Sequence, residues 1–371
     1  MKYKLNKTTS WYIFVALLFT SIVFQSQFIL SQEKSGSKTI NIAVVRDGPF
    51  EGLNIIQHIK TELDHLLGDE YNAVFDESLK YDAGWQKENF RKVIENALAD
   101  ANIDFILGIG ALVTQEAASE DLTLTKTFLS ATLLNGDIPP LPYSKEDRSL
   151  KENLSLVILP QSRDMDIYVF KSIVKFDTLY VGLGIDDYNY IDNLYQAFED
   201  YESEYKAEFI PVPVSEDIES TLSRIDENTN AFYLYTTPRL SSKERGQLVD
   251  SLVNRGIPVF SGLGLPDIKL GVLATNKPDM VMETARRVSI NLFRLIRGEN
   301  STELPVLLLS DFKLLINGKT AAEIGYYPDY DTRVSATIYY REYLDGDVKD
   351  LNIREALKLA EEGNTSLSIS S

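Results

Sequence analysis

The sequence predicts an α/β protein made of two doubly wound parallel-sheet lobes. Three observations predict it. Short β-branched runs alternate with stretches whose apolar residues recur at helical spacing. The alternation breaks in a polar, Pro-rich stretch over residues 135–153, which holds Pro139, Pro140 and Pro142. After that break the same alternation starts again. Strands separated by helices are joined by right-handed crossovers, which makes the sheets parallel.

In the first set, Thr39–Val45 is a β-branched strand that ends in Arg46-Asp47-Gly48-Pro49. Leu53, Ile56, Ile59, Leu63 and Leu66 mark a helix over 53–67, and Tyr71–Phe75 is a short strand. Phe90, Val93, Ile94 and Ala97 share one face of a helix over 89–98. Phe105–Leu107 is a strand running into Gly108-Ile109-Gly110-Ala111, followed by a helix through Ala118 and a strand over Thr127–Leu129.

The second set reads as strand 154–159, helix 164–174, strand 178–183, helix 191–205, strand 208–212, helix 218–225 and strand 231–235. A helix over 241–254 opens on Ser241 with Glu244 three residues on, the spacing at which two side chains cap each other's backbone N–H. Strands 258–260 and 271–275 follow, then a long amphipathic helix over 280–296 that Gly298 stops. Strands at 306–309 and 313–316 close the pattern.

The chain has 371 residues, 37 Lys+Arg against 55 Asp+Glu, and no cysteine. An acidic chain without a basic cluster is not a nucleic-acid protein. Lack of cysteine excludes disulfides, Cys-ligated zinc, iron–sulfur centres, thiol nucleophiles and an acylated N-terminal anchor. Lys2, Lys4 and Lys7 precede an apolar run from Trp11 to Val23, which has the length of a signal-peptide core and is short for a membrane span. Cleavage after Ser31 is expected, with export to the periplasm; an uncleaved anchor is the alternative.

In open parallel sheets, ligands lie beyond the carboxyl ends of the strands, where helix N-termini offer free N–H groups. Those positions give Asp47, Gly48 and Pro49, then Gly108, Gly110 and Ala111, then Ser130, Ala131 and Thr132. In the second set they give Asp186, Asp187 and Tyr188, then Thr236 and Thr237, then Ser261 and Gly262, and Thr275. This mixture suits a small polar or zwitterionic solute: N–H and hydroxyl for a carboxylate, Asp for an ammonium, Tyr for an apolar body. Each has a plainer reading. Gly108-x-Gly110 also fits a strand–helix turn, Asp186-Asp187 a helix cap, and Thr236-Thr237-Pro238 an exit turn. Trp85 reads as packing against the helix that follows it.

Catalytic and metal signals are missing. His58 and His65 are the only histidines and stand seven apart, not the four that would let one helix face share a metal. No nucleophile elbow, phosphate loop or His-Glu-x-x-His motif is present. The expectation is a non-enzyme without cofactor or metal.

Three segments carry a resemblance: Ile103-Asp104-Phe105-Ile106-Leu107-Gly108-Ile109-Gly110-Ala111 with Gln115-Glu116-Ala117; Gly271-Val272-Leu273-Ala274-Thr275; and Ile316-Asn317-Gly318-Lys319-Thr320-Ala321-Ala322-Glu323-Ile324-Gly325. With their order, they make residues 39–327 resemble the ABC-transporter substrate-binding proteins of the type I periplasmic-binding fold, in particular the branch with aromatic-amino-acid binders. Where that family has a stretch around Asp-Pro, this chain has Asn135-Gly136-Asp137-Ile138-Pro139-Pro140. The resemblance implies two lobes joined by a hinge, one from 38–155 and 262–300, the other from 156–261 and 301–345. It implies a small organic solute, an amino acid first, held in the cleft and handed to an ABC permease in the inner membrane.

Leu351-Asn352-Ile353-Arg354-Glu355-Ala356-Leu357-Lys358-Leu359-Ala360-Glu361-Glu362-Gly363-Asn364 in the tail, 346–371, resembles the opening of TolC-type outer-membrane efflux proteins. That adds an outer-membrane efflux protein as an expected partner and an envelope adaptor as a rival function. A terminal amphipathic helix is the plainer account.

Overall fold

The computed structural model describes residues 37–345 apart from 51, 53, 133–140, 160–161 and 191–193. The signal segment and the TolC-like tail lie outside the described residues. In chain order the first elements are β1 (Lys38–Arg46), α1 (Ile55–Leu67), β2 (Tyr71–Asp76), α2 (Phe90–Ala99), β3 (Phe105–Ile109), α3 (Ala111–Ala118), β4 (Thr127–Ser130) and β5 (Leu154–Ser155). Next come α4 (Ser162–Ile173), β6 (Thr178–Gly184), α5 (Ile185–Tyr190), α6 (Leu194–Tyr205), β7 (Glu208–Val214), α7 (Ile218–Leu222), β8 (Phe232–Leu234) and α8 (Ser242–Asn254). The chain continues with β9 (Val259–Ser261), α9 (Leu265–Lys269), β10 (Ala274–Thr275) and α10 (Met280–Ile296). Last are β11 (Leu315–Asn317), α11 (Gly318–Glu323), α12 (Tyr330–Ser335), β12 (Thr337–Tyr339) and α13 (Glu342–Asp345).

The strands form two sheets, ordered β2-β1-β3-β4-β5 and β12-β11-β10-β9-β8-β6-β7. Every pairing is parallel except that of β10 with β11. Alternation along β1 shows why helices cover both faces. Ile40, Ile42 and Val44 point to α1 and α10, while Ala43 and Val45 point to α2 and α3. In the second sheet, Leu179 and Val181 face α4 and α6, and Tyr180 with Phe232 and Leu234 faces α8. The predicted two-lobe, doubly wound α/β architecture is the observed one.

Local sequence explains the element ends. Ser241 and Glu244 form the expected reciprocal cap of α8, a motif whose loss costs about 1 kcal/mol. Gly298, at φ +93, ends α10. The helix expected over 191–205 is described from Leu194 as α6, and a further helix, α5, follows β6 directly at Ile185 and places Asp186 and Asp187 in its first turn, not at a cap. The short elements α11 and α12 escape periodicity because a single turn shows no repeat, although each has a local cap: Asn317 on the N–H of Thr320 and Asp329 on that of Thr332.

The chain passes between lobes at points other than those expected. Residues 262–275 were expected in the first lobe, yet β10 pairs with β9 and β11 in the second sheet. The return therefore falls at 276–279. Leu156, Ile158 and Val306 pack with the first lobe's core, as do Leu304 and Leu308, all five expected in the second. Residues 305–308 are extended, and bridge Ile158 to Leu307, but form no strand of the sheet.

The return passage is firmly held. Lys277 is 1% exposed, and its Nζ pairs with Asp166 of α4, whose carboxylate also accepts the Tyr233 hydroxyl at 2.6 Å. Leu265 donates its N–H to the Pro278 carbonyl at 3.2 Å. Two residues past Lys277, the Asp279 side chain caps α10 by accepting from Met282 at 3.1 Å.

Candidate functional site

The site is built from the strand ends of both lobes. At the end of β1, Asp47 turns its carboxylate onto the N-terminus of α3, accepting the N–H groups of Val113 at 2.7 Å and Leu112 at 3.1 Å. Gly110 precedes α3 at φ +124, and a Cβ there would overlap this carboxylate, so only glycine fits. Burial pushes the Asp47 carboxyl well above its usual range, against the pull of the two N–H bonds, and Asp187 and Asp186 of the other lobe push the same way.

Trp85 lies beside it. Its backbone stands at φ +61, rare for a bulky residue, and its N–H donates to the Asp47 carbonyl at 2.7 Å. The indole lies where a Cβ on Gly48 would be, and Phe50 packs on it with ring centres 5.4 Å apart. Nearby, Arg46 is paired with Asp82 at 2.7 Å.

The second lobe brings α5 to the same place. Asp186 holds Arg239 through two bonds, of 2.6 and 2.7 Å. The Arg239 guanidinium lies 5.1 Å from the Trp85 ring centre, crossing from one lobe to the other. Asp187 is 8% exposed, and among the described residues no Lys or Arg pairs with it. Burial first, then the Asp186 charge, raises its carboxyl from an ordinary 3.8 to about 7, with Thr236 bonding against the shift. Three further contacts join the lobes: α3 packs on α5, Tyr190 meets Phe90 edge-on at 6.0 Å, and the Ser242 hydroxyl donates to the Gly52 carbonyl at 3.5 Å.

Asp47, Gly48, Asp186, Asp187 and Thr236 thus converge between the lobes, with Ala111 at the start of α3. Pro49 is exposed at the rim. Other expected residues are spent inside a single lobe. Ser130 is fully buried and shares a hydrogen bond with Thr114 at 3.0 Å, and Ala131 is 1% exposed. Ser261 and Thr237 join the buried Arg245–Asp267 pair, whose two bonds are 2.8 and 2.6 Å. Thr275 donates to the Ser261 carbonyl at 2.9 Å. Gly262 lies under the Tyr233 hydroxyl, and Tyr188 packs on the second lobe's core.

Trp85, expected to pack, is 8% exposed and packs on Phe50 at the lobe boundary, where Tyr190 and Arg239, which sequence reasoning did not single out, also lie. His58 is half-buried and His65 exposed, both on α1 and away from this site. Among the described residues, no three His, Asp or Glu side chains group as a metal site, and no helix is long and apolar enough to cross a membrane.

Comparison with known proteins identifies the architecture. No family model matches the chain, and no curated protein matches it. Solved structures do. A conserved domain protein from Vibrio cholerae superposes with a TM-score of 0.64 at 15% identity, over 81% of this chain and 99% of that one. The chain has the type I periplasmic-binding fold. An ABC domain from Streptococcus pneumonia in complex with L-Trp gives a TM-score of 0.61 at 15% identity, over 81% of this chain and all of the other. The ligand-free, open form of a substrate-binding protein with adhesive properties from Clostridium difficile gives 0.50, again at 15% identity, over 81% and 99%.

Proposed function

We propose that the chain is the solute-binding component of an ABC transport system, exported to the periplasm, which holds a small organic solute between its lobes and presents it to an inner-membrane permease. The observation that carries this is the meeting of recognition groups from both lobes at one place: Asp47 and Trp85 from the first, Asp187 and Arg239 from the second. A site divided in this way couples ligand contact to lobe position, which is what a permease reads. The type I fold, shared with a protein solved around L-Trp, supports the reading. In this account the solute is held and released without chemistry, and among the described residues no nucleophile stands beside a base at the site. Asp47, Gly48, Ala111, Asp186, Asp187 and Thr236 belong to the binding site in this account, with Trp85 and Arg239 added.

The experiment is a thermal-shift and small-angle-scattering series with the exported protein and a panel of small solutes. A solute at 100 times its dissociation constant stabilises by about 2.7 kcal/mol. An unchanged melting temperature and an unchanged radius of gyration with every solute would count against the proposal.

One observation favours a second reading, an envelope adaptor. Tyr327, Tyr330, Val334 and Tyr343 are 69, 79, 68 and 53% exposed on the last described elements, an unusual density of large apolar groups in water. An adaptor is expected to capture an outer-membrane efflux protein from a detergent extract, and to lose it when residues 346–371 are removed.

A further inference from the structure

The N-terminus of α3, which faces the other lobe, is unsuited to a carboxylate. A helix N-terminus is the natural socket for an anion in this kind of fold, and the one at β3 belongs to α3. It is filled from within: the Asp47 carboxylate takes the N–H groups of Leu112 and Val113, and Thr132 takes that of Gly110 at 2.6 Å. The facing helix, α5, carries Asp186 and Asp187 in its first turn, the first bound to Arg239 and the second without a cation among the described residues, so neither offers an arriving carboxylate a positive partner.

Two of the cations here are already paired. Arg46 is bound to Asp82, and Arg239 is held in bidentate fashion by Asp186 with Glu216 beyond it at 3.7 Å. That leaves Asp187 without a cation at the boundary between the lobes, facing Asp47, which is held by the N-terminus of α3. Asp187 is more than nine-tenths buried, bonded to Thr236 and to no cation among the described residues. A buried carboxylate in that state is stabilised only by a proton or by a positive partner. The chain's formal charge of −18 draws positive solutes toward it from a distance.

Resting on the solute-binding reading, we infer that the solute is a cation without a carboxylate, an ammonium or guanidinium compound whose charge lies against Asp187. A zwitterionic amino acid would find the N-terminus of α3 already taken by Asp47.

The test is calorimetric titration of the exported protein with six named probes. Putrescine, agmatine and phenethylamine are cations without a carboxylate, phenylalanine is a zwitterion, phenylacetate an anion and myo-inositol neutral. The expected result is that one of the three cations binds, that its affinity falls as salt rises, and that Asp187→Asn weakens it at least tenfold. Asn copies the shape and removes charge repulsion, so this variant is expected to melt no lower than the parent. Tighter binding of phenylalanine, phenylacetate or myo-inositol overturns the inference and leaves the solute-binding reading standing. Unchanged cation affinity in Asp187→Asn overturns it too. Silence from all six overturns both.

Discussion

The guanidinium of Arg239 lies 5.1 Å from the ring centre of Trp85, a contact made across the boundary between the lobes. Each partner is fixed from its own side, Arg239 by Asp186 and Trp85 by its backbone bond to Asp47. The contact is therefore a latch between two pre-set parts. A double-mutant cycle with Arg239→Ala and Trp85→Ala, followed by urea unfolding, is expected to give a coupling energy of about 1 kcal/mol. Additive effects would mean that the two groups do not sense each other.

Gly110→Ala is expected to destabilise the first lobe by about 2–4 kcal/mol, because the new Cβ meets the Asp47 carboxylate at a backbone angle of φ +124. Denaturant unfolding reads the loss. Gly68→Ala serves as a control, since its φ is also positive but nothing lies within 4 Å; the difference between the two isolates the clash from the backbone term.

Asp187 gives the protein a pH dependence of definite sign. Its carboxyl binds a proton up to about pH 7 in the folded state and only up to about 3.8 when unfolded. Between those values the folded state holds the extra proton, so its stabilising effect is complete below pH 3.8 and is lost as pH rises through 7. At 1.36 kcal/mol per unit, the loss is about 4 kcal/mol at most. Asp187→Asn, which cannot ionise, is expected to be the more stable protein at pH 8 and to flatten this part of the curve. Equal slopes in parent and variant from pH 4 to 8 would contradict the assignment.

Lys277→Met leaves the buried Asp166 without its cation and is expected to cost about 3–5 kcal/mol. Adding Asp166→Leu removes the stranded charge and is expected to recover most of that loss, measured as the midpoint of urea unfolding. A double variant as weak as the single one would locate the damage in packing.

What could be read from residues alone was local. The Ser241–Glu244 cap, the apolar stripe of α1 and the stop at Gly298 are each complete within a few residues, so their pattern survives in one dimension. The return passage was misplaced because Gly271–Thr275 is a short β-like run, and nothing within it says which sheet it joins. Strand-end reasoning led to Asp47, Asp187 and Thr236, whose place at the lobe boundary follows from topology. It also named Ser130 and Ser261, which topology puts at the same level but packing turns inward, onto Thr114 and Asp267. Trp85 and Arg239 had no such signal. The indole's position depends on the missing side chain of Gly48, and the guanidinium's on Asp186, both remote in the chain.

Lys277 and Asp279 stand two residues apart and answer to different lobes, one fastened to Asp166, the other seated at the head of α10. Between them is Pro278, whose ring freezes one of its two backbone torsions and whose carbonyl is tied to Leu265. With so few free torsions, this crossing behaves as an axle pin and not as a spring. If one half swings against the other, this crossing is the place least able to stretch.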